Sequence, residues 1–155
     1  MAERIFVDTA PLIDLLTKAE GWEKASDFLD EHKTSLCTSV IVLNELKFKL
    51  LMHSAIKILG HNKKFEIIKF IKSDKSLSKD VYKNYIEFYA NIEDKIKIFG
   101  AWPDYEGLAC ALAIKYGLLP NDALILATMI KNNVRNIFTY DEDFKKIEGI
   151  KVIEP

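Results

Sequence analysis

Four acidic residues in this 155-residue chain could do chemistry together. Asp8 ends the apolar run Ile5-Phe6-Val7, Glu45 lies inside "SVIVLNELKF", Asp122 stands between Pro120 and "ALILATMI", and Asp141 follows "IFTY". Glu45 and Asp122 have mostly apolar neighbours, and a half-buried carboxylate without a partner is costly. Clustered carboxylates also repel and raise one another's pKa values unless a cation sits among them. A set of oxygen donors with no Cys or His suits Mg²⁺ or Mn²⁺ rather than zinc. Two such ions about 4 Å apart can activate a water and stabilise the leaving oxygen in phosphodiester hydrolysis. That chemistry requires the four acids to converge.

Singly, each acid has an ordinary structural role. Asp8 and Asp141 can cap helices, Asp122 can complement a helix dipole, and Glu45 can be a solvated helical residue. Convergence depends on the elements that carry them. "RIFVDT" has the content of a short buried strand, and "PLIDLLTKAE" opens with a proline suited to the first turn of a helix. "GWEKASDFLDEHK" reads as a second helix, "SLCTS" as a second strand, and a long helix is expected from about Val40 to Met52 or beyond. Two further helices fall between Lys57 and Lys97, split around "SDKSLS". "IKIFGA" is either a third strand or a helix tail. Pro103 starts a helix to Tyr116 that Gly117 ends, and Pro120 starts another to about Asn132. "NIFTY", "DEDFKKI" and "IKVI" read as strand, short helix and strand.

Strands alternating with helices predict an α/β fold: a central, mostly parallel sheet of four or five strands with helices on both faces. Such sheets place functional residues just beyond the carboxyl ends of their strands. Asp8 and Asp141 share that edge, Glu45 reaches back toward it from its helix, and Asp122 lies in the first turn opened by Pro120.

Apolar residues make up 49% and charged residues 29%, as in an ordinary globular protein, and the length suits a single domain over 1–155. Charged residues break the apolar runs well short of the ~20 residues that span a bilayer, and no signal-peptide pattern opens the chain. A cytoplasmic protein without membrane partners is expected. Cys37 and Cys110 lie in apolar settings without metal spacing and read as core thiols. The net charge of −1 hides a basic middle. Lys and Arg number 12 against 6 acids over 47–97, compared with 4 against 9 before it and 6 against 8 after it. This helical, Lys-rich segment would suit a polyanion passing the acidic centre, although a solvated face is the simpler reading. Lys47 and Lys49, close behind Glu45, are the first candidates for contact with such a polyanion.

In order, "FVDTAPLI", "TSVIVLNEL", "GLLPNDALILATMI" and "FTYDEDF" resemble the PIN-domain ribonucleases, particularly the VapC-type toxins of toxin-antitoxin pairs. The resemblance spans nearly the whole chain and implies a PIN-like fold. It implies a Mg²⁺- or Mn²⁺-dependent endoribonuclease that cuts RNA by metal-activated water. The metal-binding and catalytic residues carried over are Asp8, Glu45, Asp122 and Asp141, with Asp143 as a weaker ligand and the hydroxyls of Thr9 and Thr139 in support. Ala10 and Pro11 depart from the pattern, where a small polar residue is commoner at the first of these positions. The expected partners are an RNA substrate, with Lys47 and Lys49 as its first candidate contacts, a cognate antitoxin laid across the acidic cleft, and a second copy in a homodimer.

Two other readings use the same residues. One is a PIN nuclease in housekeeping RNA processing, which the small size and the lack of an added RNA-binding module disfavour. The other is a non-catalytic scaffold, which gives no reason to retain mutually repelling acids. A receiver-type signalling module would need adjacent acids after the first strand, where Thr9 follows Asp8. His32, His53 and His61 show no pairing and read as surface or helix-end residues. Ser39 reads as a helix cap, and Asp104 and Glu106 as first-turn acids. Tyr82, Tyr85, Phe88 and Tyr89 recur at helical spacing, as core or interface residues do.

Overall fold

A computed structural model describes residues 3–154. Five short strands form one sheet: β1 (Ile5–Val7), β2 (Leu36–Ser39), β3 (Lys97–Phe99), β4 (Asn136–Phe138) and β5 (Lys151–Ile153). Their spatial order is β3-β2-β1-β4-β5, and every neighbouring pair is parallel. The sheet is therefore wholly parallel. The three inner strands are fully buried, whereas β3 and β5 are partly exposed, as edge strands are.

The connections hold α1 (Thr9–Thr17), α2 (Trp22–Glu31), α3 (Val40–Leu59), α4 (Lys64–Ser73), α5 (Lys75–Ile92), α6 (Glu106–Tyr116) and α7 (Pro120–Lys131). From β1 to β3 the chain steps one way across the sheet, and then it crosses to β4 on the far side of β1. Because parallel crossovers are right-handed, the reversal puts α1 to α5 on one face and α6 with α7 on the other. The order reverses between β1 and β4, which opens a crevice at their carboxyl ends. Among the described residues, no single helix is long and apolar enough to cross a membrane.

Phe6, Val7, Ile137 and Phe138 of the central strands are fully enclosed, together with Val42 and Leu46 of α3 and Ile125, Leu126 and Met129 of α7. Phe28 of α2 stacks on Phe138 with ring centroids 4.2 Å apart. The basic middle divides between α3, α4 and α5. Within α5, Tyr85 is buried, Phe88 and Tyr89 are half-buried, and Tyr82 is exposed.

Three details differ from the sequence reading or complete it. "KIF" is a strand, paired to β2 through Cys37–Lys97 and Ser39–Phe99. The helix expected from Pro103 begins as a 3-10 turn (Pro103–Tyr105) before α6 proper. Cys37 is buried, and burial pushes its thiol up to about 12. Cys110 is exposed, which corrects the expectation of two core thiols. "LACALA" is apolar on every side of α6, so its pattern carried no information about which face turns inward.

Candidate active site

The register of β1 on β4 sets the site. Val7 pairs with Phe138, so the next residues, Asp8 and Thr139, emerge side by side from the sheet. The Asp8 amide donates to the Phe138 carbonyl at 3.1 Å. The Asp8 carboxylate accepts from the Thr9 amide through Oδ1 at 2.7 Å and from the Thr139 hydroxyl through Oδ2 at 2.6 Å. Asp8 thus caps α1 and also stands at the crevice.

Asp141 behaves in the same way. Its Oδ1 accepts from the Asp143 amide at 2.8 Å and caps the 3-10 turn Glu142–Lys146, while its own amide donates to the Thr139 hydroxyl oxygen at 3.0 Å. Thr139, fully buried, therefore links Asp8 to Asp141. Thr139→Val keeps the volume and removes both bonds, leaving a buried carboxylate and an amide short of partners. The expected cost is about 2–3 kcal/mol, measured by denaturant unfolding, with Thr139→Ser close to wild type. A Val variant as stable as wild type would remove this link from the account.

Ser39 ends β2 and caps α3, accepting from the Val42 amide at 3.4 Å. Glu45 lies on that helix between the buried Val42 and Leu46, with its side chain only 18% exposed. It is paired: Lys49, one turn on, stands 2.6 Å from Oε1, and the Asn121 amide donates to Oε2 at 3.4 Å. Lys49 thus serves the acidic edge itself. Lys47 points elsewhere, its ammonium 5.5 Å from the centre of the Tyr85 ring. Asn121 went unnoticed in the sequence, although its place beside Asp122 was a usable signal.

Asp122 is the third residue of α7, which starts at Pro120 without a side-chain cap. Partial burial, and then the charges of Asp141, Asp8, Glu45 and Asp143, push its carboxyl up to about 6. Burial also raises Asp8, with Glu45 adding to the rise and the Thr139 and Thr9 hydrogen bonds opposing it. The fold therefore brings Asp8, Glu45, Asp122 and Asp141 into one electrostatic neighbourhood. Asp143 sits at its margin, exposed and paired with Lys146 at 3.0 Å. Asp104 lies apart, 3.7 Å from Lys131.

The raised pKa has a definite sign. In the unfolded chain Asp122 ionises near 3.8, and in the fold near 6, so the fold is favoured below the lower value and loses that advantage as pH rises to about 6. Above pH 6 the ionised group destabilises the cation-free protein, by roughly 1 kcal/mol after solvent screening. Asp122→Asn should therefore melt about 2–4 °C above wild type at pH 7.5 without divalent cations, and the gain should vanish toward pH 4. A gain unchanged across that range would show that the neighbouring charges do not act on Asp122.

The donor set fits a hard divalent cation. The carboxylates are oxygen donors in a strained like-charge group, and next to Asp8 the buried Thr9 hydroxyl lacks a hydrogen-bond partner. Among the described residues, no three Asp, Glu, His or Cys side chains are placed to hold one ion. Lys49 and Asn121 engage Glu45, and the Asp143 amide engages Asp141. Closing around a cation means exchanging these partners for it.

An all-parallel sheet reversing at β1 and β4, with acids gathered at that crevice, defines the class, and the PIN domain matches residues 5–150. The chain belongs to the PIN-domain family. Within it, the chain is 25% identical over 157 residues to Ribonuclease VapC6 of Methanocaldococcus jannaschii, covering 97% of this chain and 96% of the relative. The fold is shared with a toxin-antitoxin complex from Klebsiella pneumoniae, with a TM-score of 0.63, 21% identity and 96% of each chain covered. It is also shared with Mycobacterium tuberculosis VapC20, a sarcin-ricin loop cleaving toxin, with a TM-score of 0.62, 19% identity and coverage of 91% and 92%.

Proposed function

We propose that this protein is a divalent-cation-dependent endoribonuclease and the toxin of a toxin-antitoxin pair. The observation that carries the reading is the register of β1 on β4, which sets Asp8 beside Thr139 and, through that hydroxyl, beside Asp141, with Asp122 and Glu45 close enough to act on one another. Isolated helix caps would not couple in this way. The full-length similarity to a VapC ribonuclease and the fold shared with toxin-antitoxin proteins support the choice of substrate and partner.

Asp8, Glu45 and Asp122 would hold Mg²⁺ or Mn²⁺, with Asp141 completing the set or recruiting a second ion. When bound, the cation supplies Lewis acidity toward the phosphoryl group and lowers the pKa of water. The chain's own residues supply order and charge. Thr139 and the Thr9 amide fix both oxygens of Asp8 before any ligand arrives, so little orientation remains to be lost on binding. Lys49 offsets the charge of Glu45 and, once displaced, presents an ammonium at the rim where RNA phosphates pass.

Purified protein should cleave RNA in Mg²⁺ or Mn²⁺, and excess EDTA should stop cleavage reversibly. Cleavage that persists in EDTA would defeat the cation assignment. An antitoxin and a second copy are the proposed protein partners, and the cytoplasm is the proposed location. Induced expression should arrest growth, and co-expression of a small neighbouring reading frame with a DNA-binding N-terminus should rescue it. Growth unaffected by an active enzyme would favour housekeeping RNA processing instead.

A further inference from the structure

A groove of about 620 Å³ lies beside the acidic edge, between α3 and α7. Asn44, Lys47 and Phe48 line it from one side, Asn121 and Leu124 from the other, and Glu45 forms part of its wall. Its volume is in the range of small-ligand sites. We propose that this groove is a nucleobase subsite, which takes one unpaired base of the RNA and aligns its backbone with the acidic edge. The proposal rests on the ribonuclease reading and specifies how that site selects its substrate.

Three observations select a base over other occupants. Phe48 is 49% exposed and has no aromatic stacking partner among the described residues, whereas Phe28 stacks on Phe138. A free aromatic face in a groove is what an unstacked base requires. The flanking side chains Asn44 and Asn121 are carboxamides; Asn44 offers donors and an acceptor to a base edge, and Asn121, whose Nδ2 donates to Glu45, offers its oxygen. Finally, the groove is continuous with the acidic edge. Asn121, which lines it, donates to Glu45 and directly precedes Asp122, so a base held there lies next to the reacting phosphate.

The test uses Asp122→Asn protein, which should bind RNA without cutting it, with Phe48 intact, Phe48→Ala or Phe48→Trp. Fluorescence anisotropy measures binding of a labelled single-stranded ribo-oligonucleotide and of an abasic oligomer of equal length at one salt concentration. Phe48→Ala should weaken RNA binding about 10-fold, within the roughly 5- to 150-fold range of one lost stacking contact. Phe48→Trp should restore it, and abasic binding should stay the same in all three proteins. Equal losses for both oligomers, or a difference under twofold including no binding at all, would overturn the proposal. So would a Phe48→Ala change in particle mass by light scattering, because the groove would then be a contact between copies. Wild-type RNA cleavage is scored separately. Its absence would sink the ribonuclease reading, while base-dependent binding by Phe48 reports on the groove alone.

Discussion

Replacing Asp122 by Asn is expected to abolish RNA cleavage, by about 10²–10³-fold or more, while leaving the protein at least as stable as before. These effects have opposite signs because they come from one cause. Four neighbouring acids and partial burial act on the Asp122 carboxyl, so its charge opposes folding and favours a bound cation. Asparagine keeps the shape and one oxygen but removes the charge. Among single changes in the acidic set, this one best separates chemistry from stability.

Asp8→Asn should also stop cleavage, but it is a less clean probe. Both Asp8 oxygens accept hydrogen bonds from the Thr9 amide and the Thr139 hydroxyl, and an asparagine must turn its NH₂ toward one of these donors. A loss of about 1–3 kcal/mol should accompany that substitution. The paired measurements are single-turnover cleavage and thermal melting on the same preparations. Cleavage by Asp122→Asn within tenfold of wild type would falsify the placement of Asp122 at the reacting centre.

The largest effect on stability is expected at Phe138. This residue is fully enclosed on central strand β4, with its ring against Phe28 and its carbonyl holding the Asp8 amide. Phe138→Ala removes the ring from an enclosed site between the sheet and α2, where collapse around the cavity is restricted. The expected loss is about 3–5 kcal/mol, a large fraction of the ~5–15 kcal/mol that holds a domain together. Melting should fall by roughly 10 °C or more. Phe65→Ala is the control. Phe65 is 90% exposed on α4, so its truncation should change stability by less than about 0.5 kcal/mol. If both variants unfold at the same denaturant concentration, the packing described for the central strands is wrong.

Much of this arrangement could be read from the residues. Proline at the start of α7, β-branched and aromatic runs in β1 and β4, and acids placed after them led to the sheet edge. What escaped had physical reasons. β3 is three residues long at an edge, and its mixed pattern "KIF" fits a strand or a frayed helix equally well. α6 is apolar all round, so burial of Leu112 and exposure of Cys110 could not be distinguished beforehand. Lys49 stood four residues after Glu45, the spacing of a helical ion pair, yet its nearness to the acids pointed to RNA instead. Asp8 and Asp141 both cap helical turns at the edge where the acids gather, so capping does not argue against the proposed site. A cap uses one oxygen of the carboxylate and orients the group.

The hydrogen bond between Thr139 and Asp8 joins positions 131 residues apart, and β1 acquires its second neighbour only when β4 arrives. During synthesis, Asp8 must wait for 131 further residues before Thr139 is made. Until then Asp8 has no hydroxyl to orient it, and neither Asp122 nor Asp141 stands beside it. Until those residues emerge, a growing chain carries an incomplete acidic edge. On the proposed ribonuclease reading, cleavage would have to wait until β4 and the residues after it have left the ribosome.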